Sequence, residues 1–323
     1  MVQKLRTHPA VSVIEEHQIM HVNEEEKCHL QKDVIWNLDR IDTHSIDMID
    51  DNYNYNSAGQ GVDVYIIDTG ILTTHVEFGK RAEWAVNLAE DGIDTDCNGH
   101  GALYGVAKNA TVIAVKVLGC NGLGKNGAVL KGIEWTVNEA RRRRRPSVAN
   151  VSVGSGKSSA TNAAVAAAVQ SGVTVVVAAG NTNTDACDFS PSSEPLAITV
   201  LATTIGTNEE TGAAQDCRVA SSNYGSCVDI GAPGQLIKSA WIDQRGSPPN
   251  ATYNILTGTS MASPHVAGVA ALVLSQSPKY SPAEVKAALH ADSTNGVIDL
   301  ACPFIQLPPS CEITPNKLLY TNC

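Results

Sequence analysis

Residues 258–268 run Gly258-Thr259-Ser260-Met261-Ala262-Ser263-Pro264-His265-Val266-Ala267-Gly268. Two small residues, Gly258 and Thr259, deliver Ser260 to the start of an apolar run of helical period, Met261 to Gln276. Pro264 falls in the first turn, where a missing backbone N–H costs little. A serine at a helix N-terminus is exposed beside orphan N–H donors and the positive end of the helix dipole. Such surroundings suit a nucleophile whose reaction passes through an oxyanion. G-T-S alone is equally an ordinary helix cap; the whole stretch says more.

Working outward, five short β-branched apolar runs alternate with helical patterns. The runs are Val62 to Asp68, Thr111 to Leu118, Val148 to Val153, Val173 to Ala179 and Ile198 to Thr203. Helices are predicted over Gly127–Ala140, Ser159–Gln170, Ser260–Gln276 and Pro282–His290. Strands apolar on both faces, alternating with helices, predict an α/β fold: a mainly parallel sheet flanked by helices on both faces, in three layers. Sites in such sheets form at the carboxyl ends of strands. Residues 1 to 28 are set apart by charge, with a short alternating run, Val11-Ser12-Val13-Ile14, after a turn at His8-Pro9.

The net charge of −10 argues against a nucleic-acid or anionic-membrane binder. No eighteen residues are uninterruptedly apolar; Ala163 to Ala179 comes nearest and is broken by Gln170, Ser171 and Gly172. Arg141 to Arg145 fits the end of a helix before Pro146 better than a polyanion patch. Nine cysteines, with no C-x-x-C, fit disulfides in an oxidising compartment, and their odd number leaves at least one thiol over. Asn109-Ala110-Thr111 and Asn250-Ala251-Thr252 are usable glycosylation sequons, whereas Asn150-Val151-Ser152 falls in an apolar strand. Met1 to Arg6 has no apolar signal core, so the chain is expected to lack its natural N-terminus.

Asp68 ends the first strand in Asp68-Thr69-Gly70. D-T-G also marks aspartic proteases, which share one proton between two carboxylates, but a second D-[ST]-G is missing. His100 lies in Asp96-Cys97-Asn98-Gly99-His100-Gly101, and Asn181 closes the apolar run Val175 to Gly180. With the eleven-residue stretch and Val64-Tyr65-Ile66-Ile67-Asp68-Thr69-Gly70-Ile71, these segments resemble the subtilisin-like serine proteases (peptidase family S8). Trp36 to Ile41, Tyr55 to Gly61, Ser222 to Gly225 and Thr314 to Tyr320 resemble the proteinase K-like branch in particular.

The resemblance implies a secreted serine endopeptidase with Asp68, His100 and Ser260 as its triad. It places an oxyanion amide on Asn181, and substrate-binding walls at Ser152, Val153, Gly154, Ala178, Ala179 and Gly180. It implies structural Ca2+ on the Pro195 and Ala197 carbonyls and the Asp229 carboxylate. Disulfides are implied for Cys97 with Cys120 and Cys187 with Cys227, with one more bond among Cys302, Cys311 and Cys323, and Cys217 unassigned. His265, on the buried side of its helix, is expected to be structural. Residues 1–28 resemble the tail of an inhibitor-type (I9) propeptide, with a boundary between 21 and 33, and 29–323 the peptidase domain of a zymogen. Expected partners are protein or peptide substrates and the chain's own propeptide, with a monomeric state and no organic cofactor, nucleic acid or membrane.

One departure stands out. In the family, a buried helix follows His-Gly; here His100-Gly101 runs through Ala102-Leu103 into Tyr104-Gly105-Val106-Ala107, about ten residues short. That is ~15 Å of helix. Its loss predicts a core void and a loosely held imidazole. A mis-set exon boundary, a splice form and a catalytically impaired pseudoprotease acting as a binding module all account for it.

Overall fold

Alternation within each apolar run decides which of two cores a side chain joins. In the computed structural model, which describes residues 28–100, 105–242, 251–301, 311 and 313–323, seven strands form the continuous parallel centre of one eleven-stranded sheet. They are β1 (Asp63–Asp68), β2 (Ala82–Asn87), β3 (Thr111–Lys116), β4 (Ser147–Val151), β5 (Thr174–Ala178), β6 (Ile198–Thr207) and β7 (Ile230–Pro233). Their spatial order is β7-β6-β5-β4-β1-β3-β2, each pair parallel. Ile66, Val112, Val148 and Val176 point into one core; Tyr65, Ile67, Ile113, Val115, Val175 and Val177 point into the other. The period of two along a strand produces this split.

The helices are α1 (Asn126–Arg143), α2 (Ser159–Gln170), α3 (Thr259–Gln276) and α4 (Pro282–Asp292). α3 crosses one face of the sheet against β4, β5, β6 and β7, while α1 and α2 cover the other. Being enclosed, α3 is apolar nearly all round: residues 261–263 and 265–272 are buried. α4 packs behind α3, held at its start by a reciprocal cap between Ser281 and Glu284. The expected elements are therefore present within a few residues. Edge strand β2, only half-buried, and the antiparallel hairpin Ile237–Trp241 with Thr252–Leu256 carry too little apolar signal to be predicted.

The arginine run closes α1 as expected. Arg144 takes a left-handed conformation (φ +55°) and donates its N–H to Ala140 O, while Arg143 pairs with Asp63 and Glu83 at 2.6 and 2.8 Å. Cys97–Cys120 and Cys187–Cys227 are disulfides, but Cys323 differs from expectation. It bonds Cys28, which binds the last residue to the start of the strand His29–Lys32. Cys311 is free and buried, and Cys217 is disulfide-bonded. Asn109 is exposed in a turn, and Asn150 is 1% exposed, inaccessible as expected. The segment 1–27, the junction at 101–104, Asn250 and Cys302 lie outside the described residues. Among those described, no helix is long and apolar enough to cross a membrane.

Candidate active site

Asp68 is the last residue of β1, Ser152 follows β4, and Gly180 lies two residues beyond β5, so the carboxyl ends of three neighbouring strands converge. The Asp68 carboxylate is 1% exposed and accepts the Thr69 N–H at 2.6 Å. Nδ1 of His100 lies 2.9 Å from each carboxylate oxygen. A carboxylate accepts only, so Nδ1 carries the proton and Nε2 is left with its lone pair. The Asp68 charge raises the His100 pKa above its ordinary 6.5, against the opposing effect of burial.

Three further devices hold this loop. Asp96 accepts the Asn98 and Gly99 N–H groups at 3.0 and 2.8 Å and the Thr69 hydroxyl at 3.1 Å. The Cys97–Cys120 disulfide joins the loop to the chain after β3. Gly99, at φ +92°, lies so near the Trp241 ring that a Cβ would stand 2.8 Å from it. Only glycine meets both demands.

Ser260 is half-buried in the first turn of α3. Its hydroxyl donates to Ser152 O at 3.3 Å, and the Ser152 hydroxyl donates to Ser260 O at 3.2 Å. Ser152 Oγ also meets Ser263 Oγ at 2.9 Å and accepts from Asn150 Nδ2 at 2.8 Å, which ties β4 to α3. Among the described residues, no hydrogen bond joins Ser260 to His100. Asn181 is exposed, and its side-chain carbonyl accepts the Thr259 N–H at 2.8 Å, leaving the amide NH2 as the group able to donate.

His100 borders two hollows. In front is a cleft of about 350 Å³ whose lining includes Ser152, Val153, Gly154, Leu123 and Gly124. Ala178 and Ala179 are buried in the strand end beside it, and Gly180 is half-buried. The other is a pocket of about 440 Å³ lined by buried Val64, Phe78, Val106, Val112, His265 and Gly268 and, where it meets the surface, by exposed Val76, Gly79 and Lys80. Four of these belong to the same apolar core as α3. His265 plays the structural part expected: Nδ1–H donates to Met261 O at 2.8 Å, Asn37 donates to Nε2 at 2.7 Å, and burial lowers its pKa to about 4.

Pro195 O, Ala197 O and the Asp229 carboxylate do come together, but around an ammonium. Lys286 Nζ donates to the two carbonyls at 3.1 and 2.7 Å and pairs with Asp229 at 2.8 Å. As they stand, these donors do not fit Ca2+, because a side-chain cation already occupies their common focus. Asp91, Cys97 and Cys120 also cluster, but both sulfurs are consumed in the disulfide.

Sequence reasoning overlooked Asp96, Asn150, Ser263 and Lys116. A lysine inside the run Thr111 to Leu118 was the available signal, since a buried ammonium demands partners. Lys116 finds Thr69 O and Leu118 O, both at 2.9 Å, and Asp91 at 3.2 Å.

Residues 59–305 match the model of the Subtilase family. The chain is 42% identical to alkaline serine exoprotease A of Vibrio alginolyticus, over 98% of this chain and 56% of that protein. It is 40% identical to an extracellular serine proteinase of Thermus sp. strain Rt41A, over 98% of this chain and 72% of that protein. It thus spans between about half and three quarters of the length of these relatives. The crystal structure of a cold-adapted subtilisin-like serine proteinase superposes with a TM-score of 0.78 at 40% identity, covering 90% of this chain and all of the other. The chain belongs to the subtilase family.

Proposed function

We propose that this chain is a secreted serine endopeptidase that cleaves peptide bonds through an acyl-enzyme on Ser260. The observation that carries the reading is the His100 ring held through Nδ1 at 2.9 Å from both Asp68 oxygens, at a cleft that Ser152 to Gly154 also line. For the reaction the Ser260 hydroxyl must leave Ser152 O and give its proton to His100. The hydroxyl oxygen then attacks the scissile carbonyl carbon, and Asp68 stabilises the imidazolium that forms. The Ser260 N–H and the Asn181 NH2 receive the oxyanion, each such donor contributing roughly 2.7–4 kcal/mol. His100 passes the proton to the leaving amine, and water releases the acyl group by the same route. The segments Ser152–Gly154 and Ala178–Gly180 would bind an extended substrate as an added strand, through main-chain hydrogen bonds. The disulfide from Cys28 to Cys323 favours a propeptide boundary N-terminal to Cys28 within the expected window.

A fluorophosphonate probe tests this: wild-type protein should label on Ser260, and Ser260→Ala should abolish both labelling and peptide hydrolysis. Folded, processed protein that does not label would refute it.

A second reading has its own support. The Ser260 bond to Ser152 O and the pocket beside His100 favour a catalytically impaired form that binds peptides without cleaving them. Peptide hydrolysis that disappears in Ser260→Ala would eliminate it.

A further inference from the structure

An ammonium has three N–H donors, and Lys286 has three acceptors: Pro195 O, Ala197 O and one oxygen of Asp229. The other Asp229 oxygen accepts the Thr199 N–H at 2.8 Å. Both oxygens of the carboxylate are therefore engaged, one charge faces one charge, and the set is complete without a metal.

We infer that Lys286 is a built-in cation that replaces a divalent metal at the Pro195–Ala197–Asp229 donor set, so that this loop is held without free calcium. At 2.7 to 3.1 Å all three contacts lie in the range of N–H···O hydrogen bonds. Seating a divalent ion at the same focus would place its charge against the ammonium and require Lys286 to swing out. To do so the lysine, which projects from the capped helix α4, would give up all three of its acceptors. The same molecule uses this device elsewhere, where Lys116 bridges Thr69 O, Leu118 O and Asp91.

The physical consequence is a change in what stability depends on. A bound ion stabilises in proportion to the logarithm of its free concentration, whereas a tethered ammonium is always present. Lys286 thereby ties the loop of residues 194–199, which leads into β6, to α4. None of this depends on whether Ser260 is acylated.

The test uses the full chain, calcium alone as the probe, and readouts other than activity. In wild-type protein, amine-directed labelling followed by mass spectrometry should find Lys286 slow to react, at a rate that millimolar calcium leaves unchanged. Faster labelling of Lys286 in calcium would mean that the ion displaces it, and would overturn the inference. Asp229→Asn should lower Tm equally in calcium and in chelator without altering the number of calcium ions bound. Loss of one ion would overturn the inference too. Lys286→Met should lower Tm by several degrees in chelator; stability equal to wild type there would contradict it.

Discussion

Ser260 rises from a helix whose residues 261–263 and 265–272 are buried, whereas His100 sits on a loop that borders a pocket of about 440 Å³. On the serine side, α3 is locked to β4 through the Asn150, Ser152 and Ser263 network and to the β5 end through Thr259 and Asn181. On the histidine side the supports are few: the Asp68 carboxylate, the Asp96 turn, one disulfide and the Trp241 contact with Gly99. A nucleophile and its base must meet within tenths of an ångström, and ~1 Å of misplacement costs ~10²-fold in rate. Under the proposed function, the difference teaches that the rate would be decided on the side with fewer supports.

The largest break in this comparison comes from Asp68. Asp68→Asn removes the charge that keeps the imidazole in its working tautomer, and should lower kcat by about 10⁴-fold. It should also move the acid limb of the kcat/KM profile. The base works when neutral, and Asp68 raises the His100 pKa above 6.5, so the wild-type limb should lie above that value and the variant's limb below it. An unmoved limb would show that Asp68 does not govern His100.

A paired substitution sharpens the contrast in packing. Val112 on β3 is 7% exposed and lines the cavity, while Ala267 on α3 is fully buried away from it. Val112→Ile adds a methylene where there is room, and should stabilise by up to ~0.8 kcal/mol with kcat unchanged or higher. Ala267→Val enlarges a side chain in the packed half and should destabilise by ~1–3 kcal/mol. Denaturant unfolding of both variants checks the pair; equal destabilisation would mean that the two halves are packed alike.

Legibility followed a different divide, between contiguous and distant residues. The Ser260 helix, the Asp68 strand and the pairing of Cys97 with Cys120 were readable because each lies in a contiguous pattern, a long apolar period or a motif of the family. What escaped depends on residues far apart in the chain. Asn150 and Ser263 meet across 113 positions, Cys28 and Cys323 across 295, and Lys286 reaches a loop about ninety residues away. A lysine on a half-exposed helix face looks solvated in sequence, so its seat among the expected calcium donors was invisible. The cavity is a further case: a shortened loop signals lost volume, but which side chains border that volume is set by tertiary packing.

The smallest effect lies at the seam between the two halves, in His265. Its Nδ1–H is bonded within α3, yet its ring also borders the cavity. Burial lowers its pKa from 6.5 to about 4, so between those values the unfolded chain binds the proton and the folded chain does not. The stability contributed by neutral His265 is thus complete above pH 6.5, falls as pH drops toward 4, and changes no further below that. One unit is about 1.4 kcal/mol, which puts the full loss at roughly 3–4 kcal/mol. His265→Asn should be less stable than wild type at pH 7, because it breaks the bonds to Met261 O and Asn37, and its stability should be flatter across this window. The width of the wild-type window also reports on the cavity. A dry cavity leaves the charged ring unsolvated and preserves the full fall, whereas water on that side would solvate the imidazolium, raise the folded pKa and narrow the window. A window much narrower than two units would therefore mean that the pocket beside His100 is wet.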